Sequence, residues 1–388
     1  MGSESNTMRC RRVLEGILGV PATEGNQIDV LRNGDEIFPA MLDAIGAARH
    51  TIDLLTFVYW SGEIGRQFAE ALSAKATEGL RVRVLLDAVG CGDMDDEDLA
   101  MMEGAGCDVR RFRPVAKGSL GEVNHRTHRK VAICDEEVAF TGGVGIADVW
   151  RGDARDETEW RDTHFRIRGP AVDGLRAAFV DNWAETGGDF FDLGVDRFPD
   201  QPQPGAWVVQ TVRGAAETGW SDISTMFRAL VSVATEQLRV TTAYFNPDDD
   251  LLELLCAAAG KGVDIKVLLP GPHADKRFVQ LTSEHTYETM LEAGIEVWNF
   301  MPSMLHAKVM TVDGDIACIG SANLNNRSTQ LDEEVNLVVF EPELVEVLDR
   351  HFAEDLERSE LIDPARWQHR GLLQRAAEKT VATVKKVI

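Results

Sequence analysis

An α/β fold built as two similar domains is what this chain predicts, and three observations carry the prediction. Apolar, strand-like runs alternate with Ala- and Leu-rich helical patterns. One set of these runs recurs in the second half of the 388 residues. A stretch rich in Gly, Pro and Asp, "GGDFFDLGVDRFPDQPQPGAW" at 187–207, separates the two sets.

The elements repeat in order. "TIDLLTFVYW" (51–60) corresponds to "QLRVTTAYFNP" (237–247), an apolar strand ending in aromatics. "GLRVRVLLDAVG" (79–90) resembles "GVDIKVLLPGP" (262–272), each after a helical pattern. A further helix leads through "AGCDVRRF" (105–112) or "AGIEVWNF" (293–300). Each half then closes on a strand carrying His-x-Lys. Strands alternating with helices at this spacing predict an α/β sandwich with a largely parallel sheet. The predicted division is an N-terminal extension (1–26), a first domain (27–186), a linker (187–207), a second domain (208–363) and a basic C-terminal helix (364–388).

Composition narrows the function. A hydrophobic content of 44% and a charged content of 27% are those of a globular protein. No apolar run reaches the ~18–20 residues of a spanning helix. The start, "MGSESNTMRCRR", lacks the apolar centre of a secretory signal, and Asn6 disfavours myristoylation. Six cysteines without CxxC pairing point to a reducing cytoplasm with neither disulfides nor structural zinc, and Cys134 and Cys318 read as core residues. The formal net charge of −24 argues against a nucleic-acid partner. It also makes any compact basic cluster informative.

Such clusters exist. "NHRTHRKVAICD" (124–135) holds His128, Lys130 and Asp135; "LHAKVMTVDGD" (305–315) holds His306, Lys308 and Asp313 at the same offsets. Gly142 matches Gly320 at +14, and Gly143 stands where Ser321 does at +15. The copies start at 128 and 306, which is 178 positions apart. Side chains two apart on an extended strand face the same way. A lysine among Val, Ile, Ala and Cys is costly to bury unless it holds a charge. Two converging lysines make an anion site suited to phosphate. Two histidines supply a nucleophile and an acid for the leaving oxygen.

The pattern H-x-K-x4-D-x6-G-[GS] resembles the phospholipase D superfamily, and the flanks are most similar to bacterial cardiolipin synthases. "WRDTHFRIRGPAV" (160–172), "TTAYFNPD" (241–248) and "GSANLNNRSTQLDEEVNLVV" (320–339) carry that likeness. The resemblance implies two phospholipase D-like α/β sandwich domains with one active site at their interface. It makes His128 the nucleophile of a covalent phosphohistidine and His306 the acid and later the base. Lys130 and Lys308 would grip the nonbridging oxygens, with Asn323 as a neutral donor. Asp162 and Glu334, 34 and 28 residues after the histidines of their own halves, stand where the family places the carboxylate that orients imidazole. Ser321 and Gly143 would shape the substrate-binding turns, and Asp135 and Asp313 the loops after each strand. The first copy departs at +17, with Gly145 where the second has Asn323, and Thr56 and Val58 stand near a strand end where relatives often carry glutamate.

The function implied is phosphatidyl transfer to an alcohol, cardiolipin synthase-like, or hydrolysis. The substrate is a phospholipid such as phosphatidylglycerol, and no cofactor or metal is needed. The alternatives are a nuclease of the same superfamily and an inactive lipid- or phosphate-binding module. "TGGVGIAD" (141–148) lacks the third glycine of a dinucleotide loop. His125 and His128 lack further ligands for a metal site, and His164 reads as structural. Trp60 and Phe245 are either an apolar rim or core. The segment 366–388 is basic, with Leu373, Ala377, Val381, Val384 and Ile388 on one helical face. It is either a packed helix or an element that docks on anionic lipid. The expected location is cytoplasmic, peripheral on the inner face of the membrane; oligomeric state is left open.

Overall fold

The computed structural model describes residues 6–114, 124–189, 199–215, 221–275 and 277–368. Fifteen strands among these residues form one continuous sheet. Outward from its middle, Thr23–Arg32 is followed by Thr163–Arg168, Val138–Gly142, Val131–Cys134, Thr51–Thr56, Arg81–Asp87 and Asp108–Phe112. On the other side the order is Trp207–Gly214, Glu334–Val339, Ile316–Gly320, Val309–Val312, Gln237–Thr241, Asp264–Pro270 and Glu296–Phe300, with Ser359–Leu361 at the edge. The halves therefore repeat one strand order. They meet where Thr23 pairs with Val209 and Asn26 with Trp207, antiparallel.

The sheet is mixed, which corrects the expectation of a largely parallel one. Thr51–Thr56, Arg81–Asp87 and Asp108–Phe112 pair in parallel because helices Glu63–Thr77 and Asp96–Ala105 cross over between them. Val131–Cys134 is antiparallel to both of its neighbours. It turns directly into Val138–Gly142, and a connection that short permits only the antiparallel arrangement. The second half repeats this, with Val309–Val312 antiparallel to Ile316–Gly320 and Gln237–Thr241.

Helical periodicity explains the covering layers. Asp222–Val233 buries Ile223, Met226, Phe227 and Leu230, one stripe of a 3.6-residue repeat. Ser221 caps it by accepting from the Ser224 N–H at 3.2 Å, an arrangement worth about 1 kcal/mol. Helix Asn6–Leu18 packs Cys10 and Leu14 into the core of the second half, and strand Thr23–Arg32 begins inside the stretch assigned to the extension. Each half has its own core on one face of the sheet. A third core crosses the seam, joining Ile28, Phe165 and Phe179 to Ile319, Val335 and Leu337 beneath helices Ala171–Glu185 and Pro342–Glu357. At about 25 cal/mol per Å² of apolar area, this shared layer fixes the two halves as one body. Most of the C-terminal basic segment, 369–388, lies outside the described residues.

Candidate active site

Two short backbone pairings cross between the halves and build the site. Thr127 pairs in parallel with Glu333, and Arg161 with Leu305. The Glu333 N–H donates to the Arg126 carbonyl at 2.9 Å, and the His128 N–H donates to the Glu333 carbonyl at 2.9 Å. In the mirror position the Arg161 N–H donates to the Met304 carbonyl at 2.8 Å, and the His306 N–H to the Arg161 carbonyl at 2.7 Å. Each histidine is thus clipped to the residue just before the other half's carboxylate.

The side chains follow. His128 Nδ1 lies 3.0 and 3.2 Å from the two oxygens of Glu334. His306 Nδ1 lies 2.9 Å from Asp162 Oδ2. The carboxylates therefore serve the opposite halves, which corrects the pairing of each with the histidine preceding it in sequence. The reason is topological, since the strands that begin beside Asp162 and Glu334 flank the seam. Ser321 lies in the turn expected to shape the substrate-binding site, and its hydroxyl donates to Glu334 Oε2 at 2.6 Å. Gly143 sits against the other carboxylate, where a Cβ would stand 2.3 Å from Asp162 Oδ1.

His128, His306, Lys130 and Lys308 are all buried. They lie just ahead of strands Val131–Cys134 and Val309–Val312, not within them. The Lys130 ammonium donates to the His128 carbonyl at 2.8 Å, and its Nζ is 5.4 Å from the Phe57 ring centroid. The Lys308 ammonium donates to the His306 carbonyl at 2.5 Å and stands 3.1 Å from His306 Nδ1. Burial, then the charge of Lys308, brings Lys130 down to about 7; burial brings Lys308 down to about 8. Burial lowers both imidazoles to about 4, with Lys308 the next cause at His306 and Glu334 resisting the fall at His128. Burial alone would raise the Glu334 carboxyl, but His128, Lys130 and Ser321 outweigh it and hold it at about 2. In the substrate-free site burial thus favours an imidazole on a carboxylate in each dyad and leaves the lysine beside it readier to lose its charge than a free one.

The remaining predicted positions frame this centre. Asn323 is buried, its Oδ1 accepting from Thr242 Oγ1 at 3.4 Å. Asp135 accepts the backbone N–H groups of Arg49, His50 and Thr51 at 2.7–3.0 Å. Asp313 accepts those of Thr235, Glu236 and Gln237 at 2.8–2.9 Å. These two residues tie the turn after each strand to the start of its neighbour and do not reach the histidines. His125 Nδ1 is 3.0 Å from the Leu331 carbonyl, and His164 is buried with no hydrogen-bond partner at Nδ1. Among the described residues, no three His, Cys, Asp or Glu side chains are grouped as metal ligands would be.

Sequence reasoning missed the aromatic wall. Trp150, Trp160 and Tyr244 stand 5.3, 5.5 and 6.3 Å from the His306 ring, and Phe57 stands 5.1 Å from His128. It also missed Arg129, fully buried and donating to the Ala178 and Gly214 carbonyls at 2.7 and 3.0 Å. A signal existed for the wall, because the helix-poor stretch 149–160 holds two tryptophans.

The family model described as "Cardiolipin synthase, PLD-like domain" matches residues 41–149 and 227–356, one segment in each half. This chain belongs to the phospholipase D-like cardiolipin synthase family. It is 34% identical to the cardiolipin synthase of Geobacillus kaustophilus strain HTA426, over 92% of this chain and 72% of that protein. It is also 34% identical to cardiolipin synthase 2 of Bacillus anthracis, over 90% of this chain and 68% of that protein. In fold it resembles the crystal structure of phosphatidylserine synthase from Haemophilus influenzae Rd KW20, with a TM-score of 0.73, 16% identity, and coverage of 99% and 100% of the two chains. Both H-x-K-x4-D copies of this phospholipase D-like chain fall within the matched segments.

Proposed function

We propose that this chain transfers a phosphatidyl group between alcohols through a covalent phosphohistidine. It is a phosphatidyltransferase of the phospholipase D superfamily acting on phospholipid. The reading rests above all on two imidazoles held by carboxylates of opposite halves, with a buried ammonium beside each.

In the first step His128 Nε2 attacks phosphorus, the bond to the leaving alcohol breaks, and His306 Nε2 gives that oxygen its proton. In the second, His306 takes the proton of the acceptor hydroxyl, which attacks phosphorus and releases His128. Glu334 holds His128 in the tautomer with Nδ1–H and a free lone pair at Nε2; Asp162 accepts the Nδ1–H of His306 and stabilises the imidazolium whose Nε2–H goes to the leaving oxygen and is regained from the acceptor. Lys130 and Lys308 oppose the charge that grows on the nonbridging oxygens, with Asn323 as a neutral donor. Phosphatidylglycerol as acceptor makes the product cardiolipin; water makes it phosphatidic acid. No helix among the described residues is long and apolar enough to cross a membrane. We take docking on the membrane surface as the route to substrate.

The test is mass spectrometry of products from phosphatidylglycerol vesicles, with plasmid DNA as a parallel substrate and excess chelator in one arm. Cardiolipin or phosphatidic acid formed in chelator supports the reading, because the lysines supply the cationic charge. Cleavage of DNA alone, or no turnover, defeats it.

A further inference from the structure

The two histidine–carboxylate dyads are supported by different donors. Glu334 Oε2 accepts from the Ser321 hydroxyl at 2.6 Å. At Asp162 the corresponding donor is an indole: Trp150 Nε1–H donates to Oδ2 at 3.0 Å, the same oxygen that lies 2.9 Å from His306 Nδ1. Oδ1 accepts the Thr163 N–H at 2.8 Å. Trp150 is 1% exposed, and its ring packs edge-on to His306 with centroids 5.3 Å apart.

Two glycines make room for this arrangement, one beside the carboxylate and one beside the indole. Ser321 corresponds to Gly143, where a Cβ would stand 2.3 and 2.7 Å from the Asp162 oxygens and 2.7 Å from the His306 carbonyl. No hydroxyl-bearing side chain fits there, so the carboxylate takes its donor from elsewhere. Asn323 corresponds to Gly145, where a Cβ would lie 2.7 Å from Val58 Cβ and 3.1 Å from Trp150 Cη2 and Cζ3. The benzo ring of Trp150 therefore fills the space into which a side chain at 145 would grow. The bare position 145 and the tryptophan at 150 are thus complementary in space.

We propose that Trp150 is a positioning residue that sets the direction and proton affinity of the His306–Asp162 pair, with Gly143 left bare for the carboxylate and Gly145 for the indole. The proposal rests on the reading of His306 as the acid and base of phosphatidyl transfer. A donor on Oδ2 draws charge from the oxygen that stabilises the imidazolium. His306 then gives up its proton more readily to the leaving alcohol. The charged groups facing the ring are Asp162, Lys308 and, farther off, Lys130; burial and the two lysines outweigh the upward pull of Asp162 and hold the imidazole well below its ordinary range. Trp150 adds to that tendency through the carboxylate. The same bond, with the edge-on packing, prevents Asp162 from rotating away from Nδ1.

The test is Trp150→Phe in the full chain, which keeps an aromatic ring and removes the N–H. We expect kcat to fall roughly tenfold, the loss of one hydrogen bond to a charged group, with KM little changed. The limb of the pH–rate profile governed by His306 should move to higher pH. Titration of the His306 imidazole by NMR should show the same upward move without any substrate. If neither moves, the proposal is overturned even where wild-type transfer is robust. If wild-type transfer is absent but the imidazole titration shifts, the proposed function fails and the coupling stands. Should Trp150→Phe not fold, the indole N–H resonance of Trp150 in the otherwise unaltered chain is read against Asp162→Asn. A shift supports the bond and no shift overturns it.

Discussion

Glu334 lies 3.0 Å from His128 Nδ1, although 206 residues and the boundary between the halves separate them. The reciprocal bond joins Asp162 of the first half to His306 of the second at 2.9 Å. Neither half holds a complete dyad. Both dyads therefore depend on the two halves of the sheet being joined at the seam and on the pairings Thr127–Glu333 and Arg161–Leu305.

Crossing makes the effects of the two carboxylate substitutions distinguishable. Glu334→Gln should slow formation of the phosphohistidine, and Asp162→Asn should also slow its discharge, because His306 acts in both steps. Each should lower kcat by about 10³–10⁴, the scale seen when a carboxylate holding a catalytic histidine is neutralised. Rapid-quench labelling with a radioactive phospholipid separates the steps. His128→Ala should abolish labelling altogether, whereas equal, stable labelling of His128→Ala and His306→Ala would overturn the assigned roles.

The lysines imply an alkaline limit. With Lys130 brought down to about 7 and Lys308 to about 8, the site loses positive charge as pH rises through that range. We expect KM to climb between about pH 7 and 9 while kcat changes less, as bound phosphate favours the charged ammonium. Lys130→Met should show the raised KM already at pH 6. Steady-state kinetics over this range is the measurement.

Acid should weaken the fold through the same centre. His128 and His306 titrate near 4 when folded, against about 6.5 in an unfolded chain. Between those values the unfolded chain binds more protons, so stability falls as pH drops from about 6.5 toward 4. Denaturant midpoints at pH 7 and pH 5 should differ accordingly. The double variant His128→Gln, His306→Gln should flatten the difference.

Arg161 supports the crossing from behind. Its Nε lies 2.9 and 3.1 Å from the Asp355 oxygens, and its Nη1 donates to Thr163 Oγ1 at 2.8 Å, all buried. Removing one member of a buried ion pair costs about 3–5 kcal/mol. Arg161→Ala should show that loss in urea unfolding, and Arg161→Lys should recover little of it because one ammonium cannot span the same acceptors. A loss under 1 kcal/mol would contradict this account.

Much of the molecule was legible locally. The offsets of His128, Lys130 and Asp135, repeated at His306, Lys308 and Asp313, identified the residues that gather at the centre and the turns that follow them. Cys134 and Cys318 were readable as core because they sit in short apolar runs, and both are buried. The mixed sheet was harder to see, because alternation of strands and helices suggests crossovers everywhere and hides the hairpin at Asp135.

What the chain determined by itself is the inventory: two imidazoles and two ammonium groups set by short spacings, strands and helices set by periodicity, and two carboxylates singled out by the resemblance to the family. What only tertiary structure decided is the pairing. Which carboxylate serves which histidine, and that an indole takes the place of a serine, depend on contacts between the halves. Hydrogen bonds across a seam carry no sequence period, since their partners are set by how the two sheets meet and not by neighbours along the chain.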